Sequence, residues 1–283
     1  MQSRMSALRV SQSRSSDRHF HFHRMNSEKA ALVAATVMFL GGFVHACRSL
    51  RSGAYRPSWT ALGLMAAGFL CQCLFLYWRG QELRRCPITN PMELMTFTAW
   101  AMVLFYFIVG SDYRFSLLGA FTAPLAFAMQ LTALLKPDHP SQPGLSPPGV
   151  WTELHATLSL LAYGGYALAC VAGVMFLVQD RLLKKHTGMV LMRWLPPVHY
   201  LTKATRRLLM AGTLLLTLGI LAAYQMEKRP ELSKLLVVWV VWSAYVLLGL
   251  YESWRGMSAR RAAWAAAGCF LLAVASLWFV TPR

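Results

Sequence analysis

Eight apolar runs dominate the chain, near 30–49, 58–78, 92–110, 115–135, 152–178, 207–225, 235–252 and 262–280. Each has the length, about 17–25 residues, that carries an α-helix across a hydrocarbon core. Lipid offers no partner to backbone amides, so each run must close its own hydrogen bonds. The expected fold is therefore all-α, a polytopic transmembrane helical bundle of about eight spans. No gap between the runs exceeds about thirty residues, which leaves no room for a separate globular domain. Only 14% of the 283 residues are charged, against roughly 25% in soluble domains.

The chain divides into a polar, basic tail at 1–29, expected to be disordered, and a transmembrane domain at 30–283. The tail is rich in Ser, Arg and His and has no apolar core of the kind a secretory signal needs. A start at Met25 is an alternative reading, which would place Met-Asn-Ser-Glu-Lys directly before the first span. The net charge of +17 would suggest nucleic acid in a soluble protein. In a chain of spans the surplus belongs to loops that meet anionic lipid, and no RNA- or DNA-binding motif accompanies it. Nucleic acid is therefore not an expected partner.

Orientation follows the preference of Lys and Arg for the cytoplasm. The loops after spans 1, 3, 5 and 7 hold 14 of them, and the tail, the other loops and the C-terminus also hold 14. Without Arg4, Arg9, Arg14, Arg18 and Arg24 the second count falls to 9. The expected placement is a bacterial-type inner membrane with the N-terminus outside. The segment 179–206 interleaves Arg181, Lys184, Lys185 and Arg193 with Leu182, Leu183, Leu191 and Trp194, a composition that predicts a helix lying on the cytoplasmic leaflet.

Ionisable groups at membrane depth are costly and so mark candidate sites. Glu93 opens the third span, and Glu153 and His155 open the fifth in Trp-Thr-Glu-Leu-His. With the N-terminus outside, spans 3 and 5 both run inward, and these three residues share the outer leaflet. His45 ends the first span on the other side. A neutral imidazole nitrogen is a good axial ligand for haem iron, and His155 has that placement. A histidine at a helix entrance also serves as a cap or interfacial anchor, and this spacing fits both uses. His139 and His199 stand beside proline in loops, and His19, His21 and His23 lie in the tail.

Cys47, Cys71, Cys73, Cys86, Cys170 and Cys269 read as small apolar residues, because the one close pair, Cys71 and Cys73, points to different sides of a helix. Gly164-Gly165 and Gly41-Gly42 read as close helix contacts. No nucleophilic triad, carboxylate pair or phosphate-binding glycine loop is visible, so an enzyme is not expected.

Several segments together resemble the cytochrome c assembly family. Cys86-Pro-Ile-Thr-Asn-Pro-Met-Glu93 is similar to its "P-[LI]-[ST]-N-x-x-E" segment. Trp151-Thr-Glu-Leu-His155 with Leu-Ser-Leu-Leu-Ala-Tyr163 resembles its fifth helix, and Trp254-Arg-Gly with Arg260-Arg-Ala-Ala-Trp264 and Gly268 resembles the approach to its last. The resemblance runs from about 30 to 280. It implies haem as cofactor, with His155 as axial ligand and Glu93 and Glu153 at the same cofactor-binding site. It also implies a second membrane protein of cytochrome c assembly as partner.

The departures are specific. Haem exporters of the family carry a tryptophan-rich stretch before the seventh span, whereas here Gln225-Met-Glu-Lys-Arg-Pro-Glu-Leu-Ser-Lys234 contains none. The histidine that ends their seventh helix is replaced by Leu248-Gly-Leu-Tyr251, and none follows the last span, at Thr281-Pro-Arg283. This pattern resembles the shorter branch of the family linked to haem biosynthesis. It leaves Tyr251 or His45 as a weak second ligand. The leading expectation is haem handling or delivery through His155. The alternative is a haem-free scaffold or regulator that recruits a tetrapyrrole-synthesis enzyme through the basic 181–207 loop. A small transporter ranks behind both, since it needs more polar groups at the bilayer midplane than these spans suggest.

Overall fold

The computed structural model describes residues 27–49, 59–110, 118–135, 149–184, 198–227 and 231–280. Among them are eight helices and no strand. They are α1 (Ser27–Ser49), α2 (Trp59–Leu83), α3 (Pro91–Gly110), α4 (Leu118–Leu135), α5 (Val150–Lys184), α6 (Val198–Tyr224), α7 (Leu232–Arg255) and α8 (Ala259–Val280). The first seven are long and apolar enough to cross a membrane. The eighth opens on Arg260 and Arg261 before its apolar stretch begins. Residues 1–26 of the expected tail lie outside the described residues, and the first helix already begins at Ser27.

Several helices outrun their apolar stretches. α2 reaches Leu83 rather than 78, α5 runs 35 residues to Lys184, and α6 starts at Val198 rather than 207. Hydropathy falls at the first charges, but the helix continues because its backbone bonds remain the cheapest partners and Lys and Arg stems extend along apolar surface. The expected surface helix over 179–206 is corrected accordingly: 179–184 is the last turn of α5, and 198–206 opens α6. Residues 185–197 lie outside the described residues.

α5 is the central helix. It packs against α6 most extensively, then α8 and α3, and its midsection from Leu160 to Met175 is almost wholly buried. The α3–α5 crossing depends on Gly164, where a Cβ would overlap Ala101, so only glycine lets these backbones approach so closely. Gly41 and Gly42 differ. A Cβ at either would meet its nearest neighbours at 3.6 Å and 3.7 Å, ordinary contact, so no tight crossing requires them. Between α5 and α7 the rings of Tyr166 and Tyr245 stack at 3.5 Å between centroids. Threonines inside the spans, such as Thr98, Thr122 and Thr213, donate to the carbonyl four residues earlier, which keeps their hydroxyls satisfied without water.

Antiparallel succession brings the start of α1, α3, α5 and α7 to one face of the bundle with the ends of α2, α4, α6 and α8. This face is called N-terminal below. Side-chain links confirm the arrangement: Arg79 of α2 reaches Glu28 of α1 and Glu93 of α3, and Tyr163 of α5 meets Ser276 of α8. On the opposite face His45 meets Thr60 at 3.0 Å, and Asp180 lies 3.8 Å from Arg260. Exposed Trp59, Tyr200 and Trp254 ring the opposite face, and Trp151 and Tyr224 the N-terminal face, as aromatic belts at two water interfaces do.

Candidate functional site

The N-terminal face gathers Glu93, Glu153 and His155, but in three different settings. The turn between α2 and α3 organises them. α2 ends where Arg84 takes φ 48°, a left-handed residue that closes the helix without glycine. α3 then begins on a capping arrangement in Thr89-Asn-Pro-Met-Glu93. Asn90 Oδ1 accepts the Glu93 amide at 2.9 Å, Pro91 takes the first helical position, and Glu93 Oε2 accepts the Thr89 amide and hydroxyl at 2.7 and 2.8 Å. This is a variant of the capping box, with proline where a missing N–H costs nothing.

Glu93 is wholly buried, at 0% exposure. Its other oxygen accepts from Arg79 Nε at 2.7 Å and from Asn90 Nδ2 at 3.1 Å. Arg79, itself buried, also lies 3.2 Å from Glu82 and 3.5 Å from Glu28. One guanidinium thus joins α1, α2 and α3. Sequence reasoning missed Arg79, because hydropathy ended the second span at 78 and left it in a loop. The signal available was an arginine preceding an Asn-Pro-x-Glu helix start by about a dozen residues.

One turn deeper, Gln72 of α2 donates to Gln130 of α4 at 2.7 Å, and Gln130 to Thr96 of α3 at 3.4 Å, all three fully buried. The spans therefore carry more buried polar side chains than expected from sequence. These groups bond mainly to each other and hold α2, α3 and α4 together rather than lining a path. Gln72 Oε1 has no partner among the described residues.

Glu153 faces the turn. Its Oε1 accepts the Cys86 amide at 3.2 Å, and Thr157, one helical turn on, meets Cys86 Sγ at 3.5 Å. Burial pushes the Cys86 thiol up from its ordinary value and the charges of Glu153 and Glu93 add to this, while the Thr157 contact opposes it. The group therefore stays protonated at neutral pH. The six cysteines are unpaired, and Cys73 Sγ accepts the Trp100 indole N–H.

His155 turns the other way, toward α6. Its Nδ1 lies 2.8 Å from the carbonyl oxygen of Gly219. A carbonyl can only accept, so Nδ1 carries the proton and the Nε2 lone pair is available. Gly219 permits this approach: a Cβ there would stand 2.9 Å from Ser159 Oγ and 3.5 Å from the His155 carbonyl oxygen. The ring is half-buried, and Nε2 has no partner among the described residues. Among those residues no three His, Cys, Asp or Glu converge as a metal cluster. A haem needs no such cluster, since its macrocycle fills four positions and the protein supplies axial nitrogens, so His155 fits the group. His45 lies at the opposite face and cannot share a ligand site with it. His139 and the tail histidines lie outside the described residues.

The family described as cytochrome C assembly protein matches residues 88–224, a stretch that contains Glu93, Glu153, His155 and Gly219. Protein HemX of Brevibacillus brevis is 24% identical over 227 residues, 79% of this chain and 80% of that protein. Protein HemX of Bacillus subtilis is 25% identical over 164 residues, 57% of each chain. Cytochrome c biogenesis protein CcsA of Nostoc punctiforme is 30% identical over 133 residues, 44% of this chain and 37% of that protein. The last two matches thus span less than two thirds of the relatives' own length. Eight helices among the described residues, seven of them long and apolar enough to cross a membrane, and these matches agree: the chain is a multi-pass membrane protein, similar over residues 88–224 to the cytochrome c assembly family and over most of its length to a HemX protein.

Proposed function

We propose that this protein handles haem at the N-terminal face of the bundle, with His155 as the axial ligand. The observation that carries the proposal is the Gly219 carbonyl at 2.8 Å from Nδ1. A ligating histidine characteristically donates its other ring N–H to such an acceptor, which fixes the tautomer and raises the basicity of the ligating nitrogen. Haem, when bound, supplies an iron centre that accepts that nitrogen. The chain's own residues orient and hold it. Glu93 neutralises Arg79 and Glu153 anchors the turn through Cys86, so both support the site without facing His155. In this reading the protein presents haem to a second membrane protein of cytochrome c assembly.

The N-terminal face is taken as the outer face of a bacterial-type inner membrane. Supporting this, six of the eight described acidic residues, Glu28, Glu82, Glu93, Glu153, Glu227 and Glu231, lie there with Lys29, Arg79, Arg84 and Arg85, whereas the opposite face holds Asp180 and Glu252 with Arg48, Arg181, Lys184, Lys203, Arg206, Arg207, Arg255, Arg260 and Arg261. Burial of Arg79 against Glu93 also removes one arginine from the loops that compete for the cytoplasm.

The test is the absorption spectrum of the detergent-purified protein, oxidised and reduced, with and without added haemin, beside His155→Ala. A band that vanishes in the variant supports ligation. No band in either protein favours the scaffold reading, which predicts instead that charge reversal at Lys184, Lys185 and Arg193 releases a soluble partner.

A further inference from the structure

Ligation by His155 leaves the other axial position of a haem iron to be filled, and the fold narrows what can fill it. His45 and Tyr251 both stand at the opposite face. His45 bonds Thr60 there, and Tyr251 lies four residues before α7 ends at Arg255. The seam between α5 and α6 supplies another side chain. Gly212 of α6 lies against Tyr166, whose ring a Cβ there would overlap, and Gly219 lies against Ser159 and the His155 carbonyl. Seven residues of α6 thus match seven of α5, as two turns of antiparallel helices do. Seven more from Gly219 bring Met226 level with Thr152 and Trp151, one turn outward from His155.

The turn that closes α6 keeps Met226 on the stripe of Gly212 and Gly219, because the amides of Gln225 and Met226 bond the Ala222 and Ala223 carbonyls at 3.1 and 3.2 Å. Cα–Cβ bonds tilt toward the start of their helix. α5 runs away from this face and α6 runs up to it, so His155 and Met226 lean toward each other across the seam. Met226 is half-buried, and Trp151 and Leu154 beside His155 are exposed, so no other described helix seals this part of the seam. Tyr224 is exposed on the far side of α6.

We propose that Met226 supplies the second axial ligand, so that haem is held between a histidine nitrogen and a methionine sulfur and its ferrous form is favoured. This assignment rests on the haem reading of His155. A thioether is a soft, neutral donor, so its lone pair forms the bond to iron and no proton leaves. Methionine opposite histidine raises the reduction potential of the iron.

The test titrates the full chain in detergent with haemin and records visible and near-infrared spectra and the midpoint potential. The parent protein is expected to be low-spin, with the weak near-infrared sulfur-to-iron band of ferric haem. Met226→Leu conserves side-chain volume. It is expected to keep a Soret band through His155, lose the near-infrared band, become high-spin and fall in potential. Met226→His restores the low-spin state without the sulfur band, at a potential below that of the parent. Tyr224→Phe behaves as the parent does. A parent protein without the sulfur band overturns the assignment while His155 ligation stands, and this result needs no variant. So does Met226→Leu with the parent's spin state and potential, or loss of the sulfur band in Tyr224→Phe. A Soret band unchanged in His155→Ala, or absent from the parent, overturns the haem reading and this assignment with it.

Discussion

Arg79 and Glu93 meet at 2.7 Å, both buried, and so bind the end of α2 to the start of α3. They stand fourteen positions apart in sequence, and the Asn90-Pro91 cap sets their meeting. Burial of two charges is justified energetically only when geometry and further hydrogen bonds satisfy both. Glu93 has four such donors around it.

Removal of the Glu93 carboxylate therefore costs more than one hydrogen bond. Glu93→Ala leaves Arg79 in a site shaped for two charges and is expected to destabilise the protein by about 3–5 kcal/mol. Thermal unfolding in detergent measures this, and a midpoint equal to that of the parent protein contradicts it.

Gly219 tests how the His155 ring is held. Gly219→Ala places a Cβ 2.9 Å from Ser159 Oγ and 3.5 Å from the His155 carbonyl oxygen, crowding the α5–α6 contact that sets the His155 bond, and is expected to lengthen that bond. Loss of such an orienting contact lowers metal affinity by about 10- to 100-fold, and haemin titration is expected to show a loss in that range. Gly268→Ala, with no atom within 4 Å of the new Cβ, serves as control and is expected to bind as the parent does.

The fold was largely legible in the sequence, for a physical reason. Spanning helices must be apolar over most of their length, so hydropathy alone located all eight described helices, seven of which are long and apolar enough to cross a membrane. It failed at their ends. Arg79, Lys184 and Arg206 lie in helices that continue past the apolar stretch, because backbone hydrogen bonding rather than side-chain polarity decides where a helix stops. The candidate site was legible in part. His155, Glu153 and Glu93 do share one face, as the alternation of spans requires. Their partners were not readable, since the Gly219 carbonyl and the Cys86 amide are backbone groups distant in sequence that carry no sequence signature. The absent tryptophan-rich stretch at 225–234 was legible directly, although residues 228–230 lie outside the described residues.

Cys86 gives a pH-dependent prediction. Its thiol is raised by burial, with Glu153 and Glu93 adding to the effect, and only the thiolate is nucleophilic. At pH 8 iodoacetamide is expected to label Cys86 more slowly than an ordinary exposed thiol, with labelling rising only as pH passes above the usual thiol range. Glu153→Gln removes one negative charge, lowers the thiol's value and speeds labelling at fixed pH. Peptide-resolved mass spectrometry reads this, and equal or slower labelling in the variant contradicts it.

The central claim is that His155 presents Nε2 to haem iron while Gly219 holds Nδ1. The most direct measurement is the Soret absorption of purified protein titrated with haemin, compared with His155→Ala. The account predicts a saturable band in the parent protein that is lost in the variant. An unchanged band in His155→Ala, or no band in the parent protein at saturating haemin, would contradict it.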